Sequence, residues 1–83
     1  MPPKITPEMR CKVAAAYDNG YALPSDTTVT WRDYVCNGSQ VTLEGYGYWV
    51  FTREEVVRME CDPDDPNCED FEFDGIVWSI CPL

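Results

Sequence analysis

Two dipeptides, Asn37-Gly38 and Asp74-Gly75, each sit between runs that alternate apolar and polar side chains, and they constrain the fold more than any other feature. Both central residues of a type I′ turn need positive φ, which Asn, Asp and Gly tolerate. That turn also matches the twist of two antiparallel strands. The first dipeptide is flanked by TTVTWRDYVC and SQVTLEGYGYWVF. It predicts a hairpin with Tyr34 opposite Val41 and Arg32 opposite Leu43, and with Trp31, Asp33 and Val35 on the other face. The second joins DFEF to IVWSIC. It places Phe71, Phe73, Ile76, Trp78 and Ile80 on one face and Asp70 and Glu72 on the other, with Asp74 entering the turn. Gly45 and Gly47 bracket Tyr46 and suggest a bulge or bend before Tyr48-Trp49-Val50-Phe51.

Two helices frame the first hairpin. Thr6, Pro7 and Glu8 form an N-terminal signature for a helix over 6–18, with Met9, Val13, Ala16 and Tyr17 as its apolar stripe and Asn19-Gly20 as its stop. Thr52 and Glu55 have capping-box spacing and start a short helix near 53–60 that buries Val56, Val57 or Met59. The expected fold is therefore α+β, a small two-layer domain in the order α-β-β-α-β-β. About four antiparallel strands, in two hairpins, would be covered by two short helices. The 83 residues read as one domain. Residues 1–5 would be a flexible start, and 61–70 an acidic loop stiffened by Pro63 and Pro66.

Charge is distributed very unevenly. Residues 1–53 balance Lys4, Arg10, Lys12, Arg32 and Arg53 against Glu8, Asp18, Asp26, Asp33 and Glu44, so the net charge of −9 belongs to the remainder. Within 60–74 stand Glu60, Asp62, Asp64, Asp65, Glu69, Asp70, Glu72 and Asp74, without a single base. Such a field repels nucleic acid and anionic membrane and attracts basic surfaces. Such a stretch has two uses: a solvated edge that resists aggregation, and an anionic face for a partner. On a strand, Asp70 and Glu72 lie roughly 6.5–7 Å apart, comparable to successive phosphates of a nucleic-acid strand.

Other chemistries find little support. With no histidine in the chain, there is no Cys-His or Ser-His nucleophile and no His-ligated metal. Asp62, Asp64, Asp65, Asn67, Glu69 and Asp70 offer oxygens for calcium, but no glycine follows the acids as an EF-hand requires. The pairs Glu54-Glu55 and Asp64-Asp65 are adjacent, so their carboxylates diverge. Cys11, Cys36, Cys61, Cys68 and Cys81 are an odd set. With no signal-like apolar run in MPPKITPEMR, they read as reduced thiols of a cytoplasmic protein. A Cys61–Cys68 disulfide and a zinc staple are the alternatives.

Aromatic residues supply the second functional reading. Tyr46 and Tyr48 alternate with Trp49 and Phe51, so both sheet faces are apolar and helices cover only one. The other face, with Tyr48 or Trp49 as anchor, could hold a partner or a second copy. No catalytic residue, metal or cofactor is expected. The favoured expectation is an inhibitor that mimics nucleic acid and fills the basic groove of a nucleic-acid-binding protein or complex, without touching nucleic acid or membrane itself. Glu60, Asp62, Asp64, Asp65, Glu69, Asp70, Glu72 and Asp74 would make the contact, with Tyr48 and Trp49 assisting. Phage-encoded anti-restriction, anti-CRISPR and uracil-glycosylase inhibitors share this size and charge, a likeness of type and not of aligned residues.

Overall fold

Thr6 caps the first helix: its hydroxyl accepts the Met9 N–H at 3.2 Å, Pro7 opens the first turn, and α1 runs Pro7–Asp18. The computed structural model describes residues 4–26, 28–58 and 68–83. Asn19 closes α1, followed by Gly20 at φ 70° and Tyr21 at φ 72°, and the Tyr21 N–H reaches back to the Ala16 carbonyl at 2.8 Å. A bulky residue at positive φ is uncommon. Tyr21 is held there by its ring, which packs against Tyr17 and Phe71, and by its hydroxyl, which donates to Glu69 at 2.6 Å.

Five strands follow: β1 (Val35–Asn37), β2 (Gln40–Leu43), β3 (Tyr46–Thr52), β4 (Glu69–Phe73) and β5 (Ile76–Pro82), with helix α2 (Arg53–Arg58) between β3 and β4. They form one antiparallel sheet in the order β1-β2-β3-β5-β4. The α+β class is as expected; the four-strand count and the order α-β-β-α-β-β are corrected. SQVTLEGYGYWVF is not one bent strand, because Glu44 (φ 49°) and Gly45 (φ 89°) turn the chain between Leu43 and Tyr46. A Glu-Gly pair is a weaker turn signal than Asn-Gly, which hid this hairpin. Gly47 instead serves close approach: a Cβ there would lie 2.2 Å from the Val41 carbonyl oxygen.

The first hairpin is shifted. Asn37 pairs with Gln40 and Cys36 with Val41, so Gly38 and Ser39 form the turn and Tyr34 does not face Val41. Gly38 has φ 64° while Ser39 is not at positive φ, the pattern of a type II′ turn with glycine first. The expected strand before it is also shorter. Trp31–Asp33 is a 3₁₀ turn, with the Asp33 N–H bonded to the Thr30 carbonyl at 3.0 Å. That turn folds Trp31 back on α1, where the Lys12 ammonium lies 5.2 Å from its ring. Packing thus overrides the strand preference of Val29 and Thr30. At the second hairpin, Asp74 (φ 54°) and Gly75 (φ 77°) make the expected type I′ turn, and Phe73 pairs with Ile76.

The core lies between α1 and one sheet face. Val13, Ala14, Ala15 and Ala16 are fully buried on the helix, against Val41, Val50, Trp78 and Ile80 from the sheet, with Tyr34 beside them. Three small alanines let the helix backbone approach the sheet and leave room for the Trp78 ring. The capping box also forms: the Glu55 N–H donates to Thr52 Oγ1 at 3.1 Å, and the Thr52 N–H donates to Glu55 Oε1 at 2.9 Å. Of the residues expected to be buried by α2, Val56 is buried, Val57 is exposed, and Met59 lies outside the described residues.

Cys68 is bonded to Cys81, which corrects the all-thiol expectation and the Cys61–Cys68 alternative. The register explains the choice. It carries Cys68 directly across from Cys81, with a Cα–Cα distance of 4.2 Å. Cys11 and Cys36 are free, and Cys61 lies outside the described residues. A cross-link that closes a short loop contributes about 3 kcal/mol by the chain-entropy account. Reduction, or Cys81→Ser, is therefore expected to lower the melting temperature by roughly 10–20 °C in a domain of this size. A thermal melt with and without reductant checks this, and coincident curves would contradict it.

Candidate functional site

The described acids of the acidic segment, Glu69, Asp70, Glu72 and Asp74, lie on the outer hairpin, where β4 is an edge strand. Its alternation puts Phe71 and Phe73 toward the core and Asp70 and Glu72 on the outer face. The two do not stand alike. Asp70 receives the Ser79 hydroxyl at 2.6 Å and an ion pair from Arg53 at 2.8 Å, whereas Glu72 and Asp74 are exposed and have no ion-pair partner among the described residues. Glu69 is exposed at the start of the strand and takes the Tyr21 hydroxyl. Glu60, Asp62, Asp64 and Asp65 lie outside the described residues, as does most of the calcium-loop candidate. Among the described residues no cluster of acids or cysteines could hold a metal ion.

Tyr48 and Trp49 face opposite ways. Trp49 lies on the outer sheet face, 37% exposed, its ring stacked on Phe51 with centroids 5.9 Å apart. Val77 is exposed on the same face, two positions along β5 from Ser79, the residue opposite Phe51. Tyr48 turns toward α1 and packs edge-on against Tyr17, so a single surface cannot use both as anchors.

Tyr48 instead belongs to a cluster that the sequence did not reveal. Asp18 ends α1, where the negative pole of the helix disfavours a carboxylate. It accepts hydrogen bonds from the hydroxyls of Tyr34, Tyr48 and Tyr46, the last at 3.3 Å. Three phenols from two segments, Tyr34 before β1 and Tyr46 and Tyr48 on β3, thereby pin the helix end to the sheet. Burial, reinforced by the bond to anionic Asp18, pushes the Tyr34 and Tyr48 phenols well above the usual tyrosine range. Because the folded state favours the neutral phenols, this contribution is complete below pH of about 10 and lost as pH rises toward the folded values. In an alkaline absorbance titration, Tyr34 and Tyr48 are expected to ionise only as the chain unfolds. Five tyrosines ionising together in a still-folded protein would contradict the cluster.

Burial raises the Cys11 thiol, with neighbouring Cys36 adding to it, and burial likewise raises Cys36 against the lowering pull of Arg10. Neither thiol is activated as a nucleophile. Glu54 and Glu55 diverge, as expected: Glu54 reaches Arg58 at 3.8 Å, whereas Glu55 meets the buried Arg10 at 2.7 Å. Arg10 also donates to the Val50 carbonyl, tying α1, β3 and α2 together. An open cleft of about 580 Å³, lined by Lys12, Trp31, Arg32, Phe73 and Asp74 among others, lies beside the second hairpin turn. Among the described residues no helix is long and apolar enough to cross a membrane. Comparison with protein-family models, curated proteins and solved structures gives no match to this chain.

Proposed function

We propose that the chain is a small acidic inhibitor, of the kind phages direct against restriction, CRISPR or DNA-repair machinery. Its acidic last third would fill a basic nucleic-acid groove of its target. The observation that carries the reading is the location of the net charge of −9 entirely within residues 54–83. Like charges crowded into one third of a small domain oppose folding through self-repulsion, and solubility alone does not require that placement. The exposed carboxylates of Glu72 and Asp74 add support, as neither is in an ion pair among the described residues. Charge of this kind speeds encounter and selects basic surfaces. The reading is of a binding protein and not an enzyme, and it places the chain in the cytoplasm. Cys68 and Cys81 would be thiols there, so fold and binding must survive reduction.

The test is capture of partners from a lysate on the immobilised chain, eluted separately with salt and with duplex DNA. A nucleic-acid enzyme released by both, and inhibited by the free chain, supports the proposal. Partners that ignore both eluents would overturn it. They would favour the second reading, assembly through the outer face, which rests on the stacked Trp49–Phe51 pair. In that case Trp49→Ala would disrupt the complex and charge changes would not.

A further inference from the structure

Among the described residues the edge of β4 is open in a specific way. A two-residue type I′ turn closes on a hydrogen-bonded pair, here Phe73 and Ile76, and hydrogen-bonded and non-bonded pairs then alternate along the ladder. Phe71–Trp78 and Glu69–Ile80 are therefore bonded pairs, whereas Glu72–Val77, Asp70–Ser79 and Cys68–Cys81 are not. The 4.2 Å Cα separation of Cys68 and Cys81 fits the closer, non-bonded class. The backbone N–H and C=O groups of Asp70 and Glu72 consequently point away from β5, along the free edge. Among the described residues no strand pairs with them. No proline or lysine blocks this edge within Glu69–Phe73.

We infer that β4 accepts an extended strand of a partner in which basic and apolar residues alternate. The inference rests on the proposed basic partner and specifies how it docks. An added strand would bond to the outward groups of Asp70 and Glu72, so the residues directly opposite them share the outer face with the two carboxylates. Lys or Arg at those positions makes opposite-charge cross-strand pairs, most directly with Glu72, because Asp70 already holds Arg53. The intervening residues fall on the face of Phe71 and Phe73 and want to be apolar. The same arrangement disfavours a second copy of the chain, since two antiparallel β4 edges in this register set acid opposite acid.

The test uses two synthetic peptides of alternating arginine and valine, one unmodified and one N-methylated at every arginine, so that it keeps its charge but cannot bond to β4 with arginine opposite the acids. The unmodified peptide is expected to bind about tenfold or more tightly than its methylated twin, from the loss of several hydrogen bonds. On binding, the Asp70 and Glu72 amides should gain hydrogen-exchange protection, while those of Phe71 and Phe73 are protected already. Glu72→Pro removes an outward N–H without breaking the β4–β5 ladder and should abolish the difference between the peptides, while Glu72→Gln should keep it. Equal binding of both peptides, or protection that does not change, overturns strand addition and leaves a purely electrostatic partner in place. Failure of the unmodified peptide to bind also overturns it, whereas the inhibitor proposal stands or falls on the lysate capture.

Discussion

Trp78→Ala is expected to remove much of the stability of the chain. Trp78 is fully buried, at the meeting point of α1 with the centre of the sheet. It pairs with both Thr52 of β3 and Phe71 of β4, so it stands where the two halves of the sheet meet. Truncating a buried tryptophan removes about 3–5 kcal/mol. A domain of this length has a total stability of roughly 4–12 kcal/mol, and the substitution removes much of it. Trp78→Phe should be far milder. The indole N–H has no hydrogen-bond partner among the described residues, and an unsatisfied buried donor costs about 1–3 kcal/mol, which phenylalanine avoids. Urea unfolding followed by circular dichroism reads both variants. An alanine variant as stable as the parent would mean that the core is centred elsewhere.

The second large effect is expected at Arg10. Arg10 is only 9% exposed, yet its guanidinium is satisfied by the Val50 carbonyl and the Glu55 carboxylate. Arg10→Met strands both acceptors. Breaking a buried pair destabilises by about 3–5 kcal/mol, and Glu55 retains enough water contact to reduce this to about 2–3 kcal/mol. The double variant Arg10→Met with Glu55→Gln should recover part of the loss, because no unpaired charge remains. The pair also has a pH signature. Burial raises the Glu55 carboxyl, but the hydrogen bond from Arg10, that from the Thr52 N–H and the Arg10 charge together hold it below its ordinary value of 4.5. A depressed folded value means the stabilisation is complete above pH 4.5 and is lost as pH falls through the folded value. The stability gap between the parent and Glu55→Gln should narrow only on that acid side. A gap that is flat down to the acid transition would contradict the ion pair.

Local chemistry made much of this fold legible in the sequence. Thr6 and the Thr52/Glu55 box cap their helices, and Asp74-Gly75 sets the register that puts Phe71 and Trp78 on one face. What escaped was decided by contacts distant in sequence. Trp31 curls back onto α1 instead of extending, and Glu44-Gly45 turns where its composition is ordinary. Cys68 finds Cys81 because β4 and β5 pair, a geometry that cysteine spacing does not encode. At the candidate site, the alternation of Asp70 and Glu72 with Phe71 and Phe73 was readable, and so was the position of the charge. The pairing of Asp70 with Arg53 and the three-tyrosine grip on Asp18 were not, because each joins segments more than a dozen residues apart.

In the proposed function the clustered acids, and not the fold alone, bind the partner. The most direct measurement compares the affinity of the captured partner for the parent chain and for a variant carrying Asn or Gln at Glu60, Asp62, Asp64, Asp65, Glu69, Asp70, Glu72 and Asp74, each at low and high salt. The parent should lose affinity steeply as salt rises. The variant should remain folded, bind roughly a hundredfold or more weakly at low salt and respond little to salt. A folded amide variant that binds and inhibits as well as the parent would contradict nucleic-acid mimicry and leave the acidic stretch a solvated edge.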